Sequence, residues 1–247
     1  NLTHYKNKIT YLPDEKKTTV MDGHGGYMNG SRYYGEDLPI NTWYMKRFAG
    51  LSEDGLSLWY YTDKETNEEK TTTTYSTGDF YLCGDPNPDL YGGFGTSITF
   101  HGFDLSTQFS YLVGGLTYDY GYAGMMGNPT ATSVGNRWHK DVLKAWSPEN
   151  PSSTIPRWHF NDLNTTGSSD RFLIDGSYLN LQNIQVGYTL PDSWTSHLKI
   201  KNLRLYFVCD NVYYWSKRKG LDPRRSISGV GTSGKIAPFR TYSGGIS

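Results

Sequence analysis

The chain has 247 residues and no formal net charge, because 24 Lys and Arg side chains are balanced by 24 Asp and Glu side chains. This balance, without any basic run, argues against a nucleic acid as the partner. Aromatic residues reach 15%, with 21 Tyr and 28 Gly in the chain, and this composition favours strands joined by turns over helices. No apolar run approaches the ~20 residues that a membrane-spanning helix needs.

No arrangement of residues indicates an enzyme, a metal site or a cofactor. The six histidines show no paired metal-ligand spacing, and His24, which lies among glycines, is predicted to belong to a solvated loop. Cys83 and Cys209 are predicted to be small, half-buried residues, with a disulfide left open. The chain contains no nucleophile elbow, phosphate-binding loop or zinc-protease motif. We therefore expect no catalytic residues.

The first part of the chain is predicted to alternate between strands and polar loops. Residues 2–12 are predicted to end one strand, and residues 13–30 to form a loop with a flexible, glycine-rich centre. Two further strands are predicted at residues 40–49 and 56–61. Residues 84–89 are predicted to form turns, because their prolines lack a ladder donor and their Asn and Asp side chains bond their own backbone.

Residues 94–113 carry the clearest hairpin signal, with strands at 94–100 and 105–113 and a turn at 101–104. The return strand places mainly apolar side chains at every second position, namely Leu105, Thr107, Phe109, Tyr111 and Val113. The residues between them are mainly polar. A strand of this kind needs an apolar environment on one side and water or polar groups on the other.

Residues 169–191 hold a second alternating strand, which ends at Pro191. After Asp175 the apolar side chains recur mostly at every second position, namely Tyr178, Leu179, Leu181, Ile184, Val186 and Tyr188. Asn, Gln and Gly stand between them. Residues 203–213 are predicted to be the penultimate strand, and the last strand is predicted to start at Arg240.

Short turns and long loops alternate in the second half of the chain. The short turns at 101–104 and 190–201 alternate with long loops at 114–175 and 214–238. The first of these loops is far longer than a compact soluble domain tolerates without a purpose, and a short helix is predicted within it at 137–145. Long loops on one rim and short turns on the other are typical of bacterial outer-membrane barrels, so the long loops are predicted to be extracellular.

Five blocks of the chain, taken in order, carry a family resemblance. They are residues 7–9 (Asn-Lys-Ile); 84–89 (Gly-Asp-Pro-Asn-Pro-Asp) with 92–94; 146–151 (Trp-Ser-Pro-Glu-Asn-Pro) with 155–157; 169–191; and 211–215 with 219–223 and 242–247. Each block alone is a weak signal, but the five in order span nearly the whole chain. Together they resemble the C-terminal quarter of SusC/RagA-type TonB-dependent transporters, which are outer-membrane nutrient importers.

The resemblance implies an all-β fold, namely an antiparallel transmembrane β-barrel of about 22 strands with long extracellular loops. Residues 1–247 are then expected to be the C-terminal part of that barrel, with the N-terminal plug and the earlier strands absent. The chain starts without Met and without a signal peptide, which leads us to expect an upstream part. The open edges of the sheet would pair with that part.

The resemblance also implies the function, which is the active import of an oligosaccharide or a peptide across the bacterial outer membrane. A SusD-like surface lipoprotein is expected to act as a lid over the extracellular loops. The TonB complex is expected to supply energy through the missing N-terminal region. Outer-membrane lipid would surround the barrel, and the two-protein complex would form a dimer. No bond in the ligand is broken, so the chain is predicted not to be an enzyme.

Six side chains are candidates for ligand contacts. Loop-borne aromatic rings suit sugar faces or peptide side chains, and polar groups beside them would orient the ligand. The alternatives are that the rings anchor loops or form the interfacial aromatic girdle, and that the polar groups form ion pairs that stabilise a loop. The candidates are Trp138, Arg157, Trp158, Asp162, Tyr214 and Trp215.

Two other functions remain open. A secreted all-β glycan-binding module would share the high aromatic content, but a soluble sandwich is not expected to place so long a loop between its strands. An outer-membrane adhesin or enzyme barrel is the second alternative. Upstream sequence that encodes a plug and a TonB-contacting segment would distinguish the transporter from both.

Overall fold

The computed structural model describes residues 1–130, 135, 137–162, 164–165, 167–196, 199–219, 222–225, 229 and 238–247. The strands of these residues are β1 (Leu2–Thr3), β2 (Thr19–Met21), β3 (His24–Asn29), β4 (Arg32–Gly35), β5 (Thr42–Lys46), β6 (Phe48–Leu51), β7 (Ser57–Thr62), β8 (Glu69–Thr72), β9 (Phe80–Leu82), β10 (Leu90–Phe100), β11 (Phe103–Val113), β12 (Leu116–Tyr118), β13 (Leu173–Asp175), β14 (Tyr178–Thr189), β15 (Arg204–Ser216) and β16 (Thr241–Ile246). The α-helices are α1 (Tyr120–Met125) and α2 (Asp192–Thr195), and single 3-10 turns lie at Asp14–Lys16, Lys140–Lys144, Asp170–Phe172 and Pro223–Arg225. Among the residues described, no helix has the length and apolar composition to cross a membrane.

The largest sheet has six antiparallel strands in the order β1-β10-β11-β14-β15-β16. Its four central strands are 11 to 13 residues long, which meets the about 9–11 residues that a tilted strand needs to cross a bilayer core. The strands predicted at 94–100, 105–113 and 203–213 are confirmed, as is the last strand after Arg240. The structure extends β10 and β15 beyond the predicted bounds, so the sheet is longer than the sequence pattern indicated.

One face of this sheet, called here the outer face, is apolar and exposed. A row of directly paired side chains crosses four strands at Ile98, Leu105, Val186 and Phe207. These four residues are between 37% and 56% exposed. On the same face the rings of Phe94 and Phe109 stack with their centroids 4.8 Å apart. The apolar face predicted for residues 105–113 is therefore confirmed, and a surface of this kind requires an apolar environment.

A β-bulge explains why the apolar residues of β14 do not alternate strictly. Leu181 pairs with Phe109 of β11, whereas Asn183 pairs with Gln108, so Gln182 is an extra residue relative to β11. Because successive side chains of a strand point to opposite faces, the extra residue shifts the alternation by one position. The shift keeps the apolar side chains after Gln182 on the outer face.

The β10–β11 hairpin marks one end of the sheet. His101 and Gly102 connect the two strands with φ values of 46° and 86°, and positive values at both residues suit a two-residue turn that follows the strand twist. The turn predicted at four residues is therefore two residues long. On the inner face near this end, Arg204 forms an ion pair with Asp104 at 2.5 Å. A side chain at Gly187 would collide with both partners.

The loop region, defined as residues 4–89, 114–177 and the described residues of 217–240, lies at the opposite end of the sheet. It contains a five-stranded sheet in the order β2-β3-β4-β5-β9, a three-stranded sheet of β6, β7 and β8, and the pair β12-β13. The predicted arrangement, with long connections at one end and short ones at the other, follows from this antiparallel topology.

The loop region has its own hydrophobic core, which consists of Trp43, Met45, Tyr118, Met126 and Phe172. Trp43 is fully buried, and its indole Nε1 donates a hydrogen bond to the Leu116 carbonyl oxygen at 3.1 Å. The guanidinium carbon of Arg32 lies 3.1 Å from the centre of the indole ring. Burial lowers the pKa of Arg32 to about 10. The ring of Trp43 thus joins β4, β5 and β12.

The glycine-rich segment predicted to be a flexible loop is a hairpin. Residues 13–30 contain β2 and β3, which are joined at Asp22 and Gly23 with φ values of 48° and 85°. The prediction was wrong here because an Asp-Gly pair forms the same kind of two-residue turn as His101–Gly102. His24 therefore lies in a strand rather than in a solvated loop, and its Nδ1 is 2.8 Å from the Glu36 carbonyl oxygen.

Several predicted element bounds also change. The strand predicted at 2–12 is confined to β1, and the strand predicted at 40–49 is divided into β5 and β6. The helix predicted at 137–145 is a 3-10 turn at Lys140–Lys144. The described residues of the long loop at 114–175 contain β12, α1, this turn, a second 3-10 turn at Asp170–Phe172 and β13. The turn at 190–201 and the loop at 214–238 lie partly outside the described residues, namely at 197–198, 220–221, 226–228 and 230–237.

We expect the substitution Trp43→Ala to destabilise the loop region by about 3–5 kcal/mol, because it removes a fully buried indole and leaves a cavity. Limited proteolysis of the folded protein should then cut the loop region much faster, while the six-stranded sheet stays resistant. The matched control is Trp158→Ala, since Trp158 is 41% exposed. Equal cleavage of the two variants would show that Trp43 does not hold the region together.

Candidate functional site

The inner face of the sheet, opposite the outer face, carries a band of amide side chains. Asn180 is 3% exposed, and its Nδ2 donates to the Ser110 hydroxyl at 3.3 Å. Asn183 Nδ2 donates to the Asp210 carboxylate at 2.7 Å. Because these groups alternate with the apolar side chains of the outer face, the sequence pattern that builds the wall also builds a polar lining.

Arg224 joins the loop region to this polar lining. Its Nε and one Nη atom donate to both carboxylate oxygens of Asp222, at 2.8 and 2.7 Å. The other Nη donates to the Asn180 side-chain oxygen at 2.6 Å, and the guanidinium lies 4.7 Å from the centre of the Tyr214 ring. The hydrogen bonds to Asp222 raise the pKa of Arg224. A short segment of loop is therefore fixed to β14 and β15.

Two recesses open on the inner face beside Arg224, and both include Tyr178 and Arg224 in their walls. The polar recess, of about 360 Å³, is also lined by Asn180, Gln182 and Asn211. The tyrosine recess, of about 450 Å³, is lined by Tyr5, Tyr91, Tyr178 and prolines. Because the two recesses share two lining residues, they are adjacent parts of one cleft between the sheet and the loop region.

The structure places the two predicted aromatic residues of β15 on opposite faces. Tyr214 pairs with Asn180 and contacts Arg224, so it belongs to the inner face. Trp215 is 49% exposed, and its ring lies 4.9 Å from that of Tyr213 on the outer face. Both residues border a further recess of about 490 Å³ at the loop end of β15.

The other two predicted aromatic residues form a pair in the loop region. The rings of Trp138 and Trp158 meet edge to face, with centroids 5.3 Å apart. Trp158 Nε1 donates to the Gly127 carbonyl oxygen at 3.3 Å, and the residue is 41% exposed. The pair is anchored on one side and open to solvent on the other.

Arg157 and Asp162 form no ion pair with any residue that the structure describes. The Arg157 backbone N–H donates to the Gly55 carbonyl oxygen at 2.9 Å, while its buried Nε has no described hydrogen-bond partner. Asp162 accepts a hydrogen bond from the Asn164 backbone N–H at 3.1 Å through one carboxylate oxygen. Its other oxygen is buried and has no described partner. The ion pair considered as an alternative role therefore has no partner among the described residues, and both roles stay predictions.

Sequence reasoning missed the residues that form the centre of the cleft. Tyr178 and Asn180 lie in the alternating strand of residues 169–191, where the pattern groups Tyr178 with the apolar side chains although it lies on the inner face beside Leu112. Arg224 follows the Asp-Pro pair at 222–223, which entered only as part of a family block. Since Arg224 and Asn180 are 44 residues apart, no local pattern relates them. The polar positions of an alternating strand are the one signal that pointed to this lining.

We expect Arg224→Ala to release the segment at Asp222, because a carboxylate that is 4% exposed loses both hydrogen bonds from the guanidinium. A loss of about 3 kcal/mol would accelerate amide hydrogen exchange of residues 216–219 and 222–225 roughly 100-fold. Removing both charges with Asp222→Ala and Arg224→Ala should restore part of the protection. Arg240→Ala, at an exposed arginine, is the control. Unchanged exchange in the single variant would contradict the assigned role.

No family model matches the chain. The chain is 28% identical over its full length to TonB-dependent receptor P3 of Formosa agariphila, and covers 26% of that protein. It is 26% identical to TonB-dependent receptor SusC of Bacteroides thetaiotaomicron over 61% of the chain and 14% of SusC. The chain thus spans about a quarter of the length of the first of these curated relatives.

Solved structures show the same fold. The structure of the RagAB peptide transporter matches 99% of this chain and 26% of its own chain, with a TM-score of 0.78 and 23% identity. The RagAB importer in its open-open state matches with a TM-score of 0.76. The sheet described above is therefore a portion of the wall of an antiparallel outer-membrane β-barrel. These likenesses confirm the predicted resemblance to SusC/RagA-type TonB-dependent transporters and the outer-membrane location.

Proposed function

We propose that this chain forms wall and external loops of an importer that actively moves a nutrient ligand, an oligosaccharide or a peptide, across the outer membrane. One observation carries the proposal. A two-faced sheet, apolar outside and polar inside, ends in a structured loop region, and a cleft lies between the two. A wall of this kind contacts lipid on one side and cargo or other polar protein surfaces on the other.

The loop region suits a partner that covers it from outside. A SusD-like lipoprotein lid is the partner we propose, with the TonB complex supplying energy through a plug domain. RagAB is a peptide transporter. The likeness to it supports import as the activity, and the ligand proposed here remains either an oligosaccharide or a peptide. Two copies of the two-protein complex are proposed to associate.

We propose that five of the candidate side chains contact the ligand or the lid, namely Trp138, Arg157, Trp158, Asp162 and Tyr214. Trp158 is half exposed beside Trp138, and the unpartnered buried atoms of Arg157 and Asp162 leave hydrogen-bonding capacity for a bound group. Tyr214 lies on the inner face, where its ring contacts the Arg224 guanidinium beside the cleft. The outer-face position of Trp215 favours the other role considered for it, an anchor in the interfacial aromatic girdle.

A secreted glycan-binding module is disfavoured by the same sheet. Rows of exposed apolar side chains such as Ile98, Leu105 and Phe207 would lie in water in a soluble protein. An adhesin barrel would share the outer face, and it differs from an importer in having no energy-dependent uptake.

The proposal predicts a parent protein of about 110 kDa in purified outer membranes, since the 28.0 kDa chain covers 26% of its relative. It should co-purify with a lipoprotein and support the uptake of labelled oligosaccharide or tryptic-peptide mixtures. Deleting the gene, or collapsing the proton gradient with a protonophore, should abolish that uptake. A 28 kDa species in the soluble fraction, with uptake unaffected by gene deletion, would refute the proposal.

Of the predicted aromatic residues, Trp158 and Trp215 provide a matched pair of variants. Trp158→Ala should raise the half-saturation concentration for uptake roughly 5- to 10-fold, because a stacking ring contributes on the order of 1 kcal/mol beyond its buried area. Trp215→Leu should leave it unchanged, since Trp215 lies on the outer face. Uptake is compared at equal amounts of protein in the outer membrane. A stronger effect at Trp215 would reverse the assignment of the two residues.

A further inference from the structure

The tyrosine recess has the chemistry of a sugar-binding site. We propose that it holds one pyranose ring of a neutral oligosaccharide; this inference rests on the importer function proposed above. Its volume of about 450 Å³ lies within the range of small-ligand sites. It opens on the inner face at the loop end of the sheet, where a ligand captured from outside first meets the wall.

Aromatic rings and prolines form the walls of the recess. Tyr5 and Tyr91 meet edge to face, with centroids 6.0 Å apart, and Tyr178 lies on the neighbouring part of the wall. Pro86, Pro88 and Pro223 complete the apolar lining. The C–H face of a pyranose ring is apolar and packs on such flat surfaces, while its hydroxyl groups point outward.

The turn that carries two of these prolines is held by hydrogen bonds. Asp85 accepts hydrogen bonds from the Asn87 backbone N–H at 2.9 Å and from the Asn87 side chain at 2.6 Å. Asn87 Nδ2 also donates to the Ile40 carbonyl oxygen at 3.1 Å. The walls are therefore formed before a ligand binds, which limits the ordering cost of binding.

The phenol hydroxyls of the recess are free to bind a ligand. Those of Tyr5, Tyr91 and Tyr178 make no hydrogen bond with any residue that the structure describes. Elsewhere in the loop region, phenols such as Tyr33 and Tyr75 donate to backbone carbonyl oxygens at 2.8 Å. A tyrosine hydroxyl is protonated at neutral pH and can both donate and accept hydrogen bonds, and burial raises the pKa of Tyr5 further.

Charge favours a neutral saccharide over a charged peptide or an acidic sugar. Among the described residues that line the tyrosine recess, Arg224 is the one with a formal charge, and Asp222 pairs with it through two hydrogen bonds. The adjacent polar recess presents the amides of Asn180 and Gln182, which suit the hydroxyl groups of the next sugar unit. The cleft thus offers one apolar platform followed by neutral hydrogen-bonding groups.

The test measures energy-dependent uptake by cells that carry the full-length transporter. The probes are tritium-labelled mixtures of neutral oligosaccharides from starch and xylan, of acidic oligosaccharides from pectin, and of tryptic peptides. We expect uptake of the neutral mixture. Tyr91→Ala should raise its half-saturation concentration roughly 10-fold, and Tyr178→Phe, which removes only the hydroxyl, about 3-fold. Tyr213→Phe and Tyr242→Phe, on the outer face, are the controls and should leave it unchanged.

The outcomes separate this inference from the importer function. Energy-dependent uptake of only the acidic or the peptide mixture would overturn the neutral-sugar assignment and leave the importer intact. Uptake of the neutral mixture with wild-type concentration dependence in Tyr91→Ala and Tyr178→Phe would overturn the site. Absence of energy-dependent uptake of all three mixtures by the wild-type transporter would overturn both. Immunoblots of outer membranes verify that each variant is present at the wild-type amount.

Discussion

The hydrogen-bonded ladder of the six-stranded sheet is the constraint on which the rest of the structure depends. In a bilayer every backbone N–H and C=O must be paired within the protein, and in a sheet the hydrogen bonds between neighbouring strands achieve this pairing. Their pleat then forces side chains to alternate between lipid and interior. The bulge at Gln182 preserves this alternation between lipid and interior. Its extra residue places the apolar side chains that follow it on the outer face.

The loop region is held by interactions that reach across its sheets. Trp43 supplies a fully buried ring and a hydrogen bond to the segment after β11. Lys46 donates to the carbonyl oxygens of Tyr75, Ser76 and Gly78 at 2.5 to 3.1 Å, and burial lowers its pKa. These side chains donate hydrogen bonds to backbone carbonyl oxygens of distant segments. The long connections of the loop region are therefore packed together.

The cleft exists because the wall and the loop region meet at Arg224. Its contacts to Asp222 and Asn180 bring a loop segment against the inner face, and the Pro223 beside it helps to close the tyrosine recess. A paired arginine at this position fixes the geometry of a binding surface while adding no net charge to it. That combination suits the uncharged ligand proposed for the tyrosine recess.

The sequence by itself determined the wall, because alternation is a pattern of neighbouring residues. The alternation at 105–113 and 178–188 predicted the strands and their faces, except for Tyr178, which lies on the inner face. It also indicated where long loops lie. It did not reveal the hairpin at Asp22 and Gly23, where glycines were read as flexibility, nor the opposite orientations of Tyr214 and Trp215. Only the tertiary structure decided the cleft, because Tyr5, Tyr91, Tyr178 and Arg224 come from four distant segments that no local pattern joins.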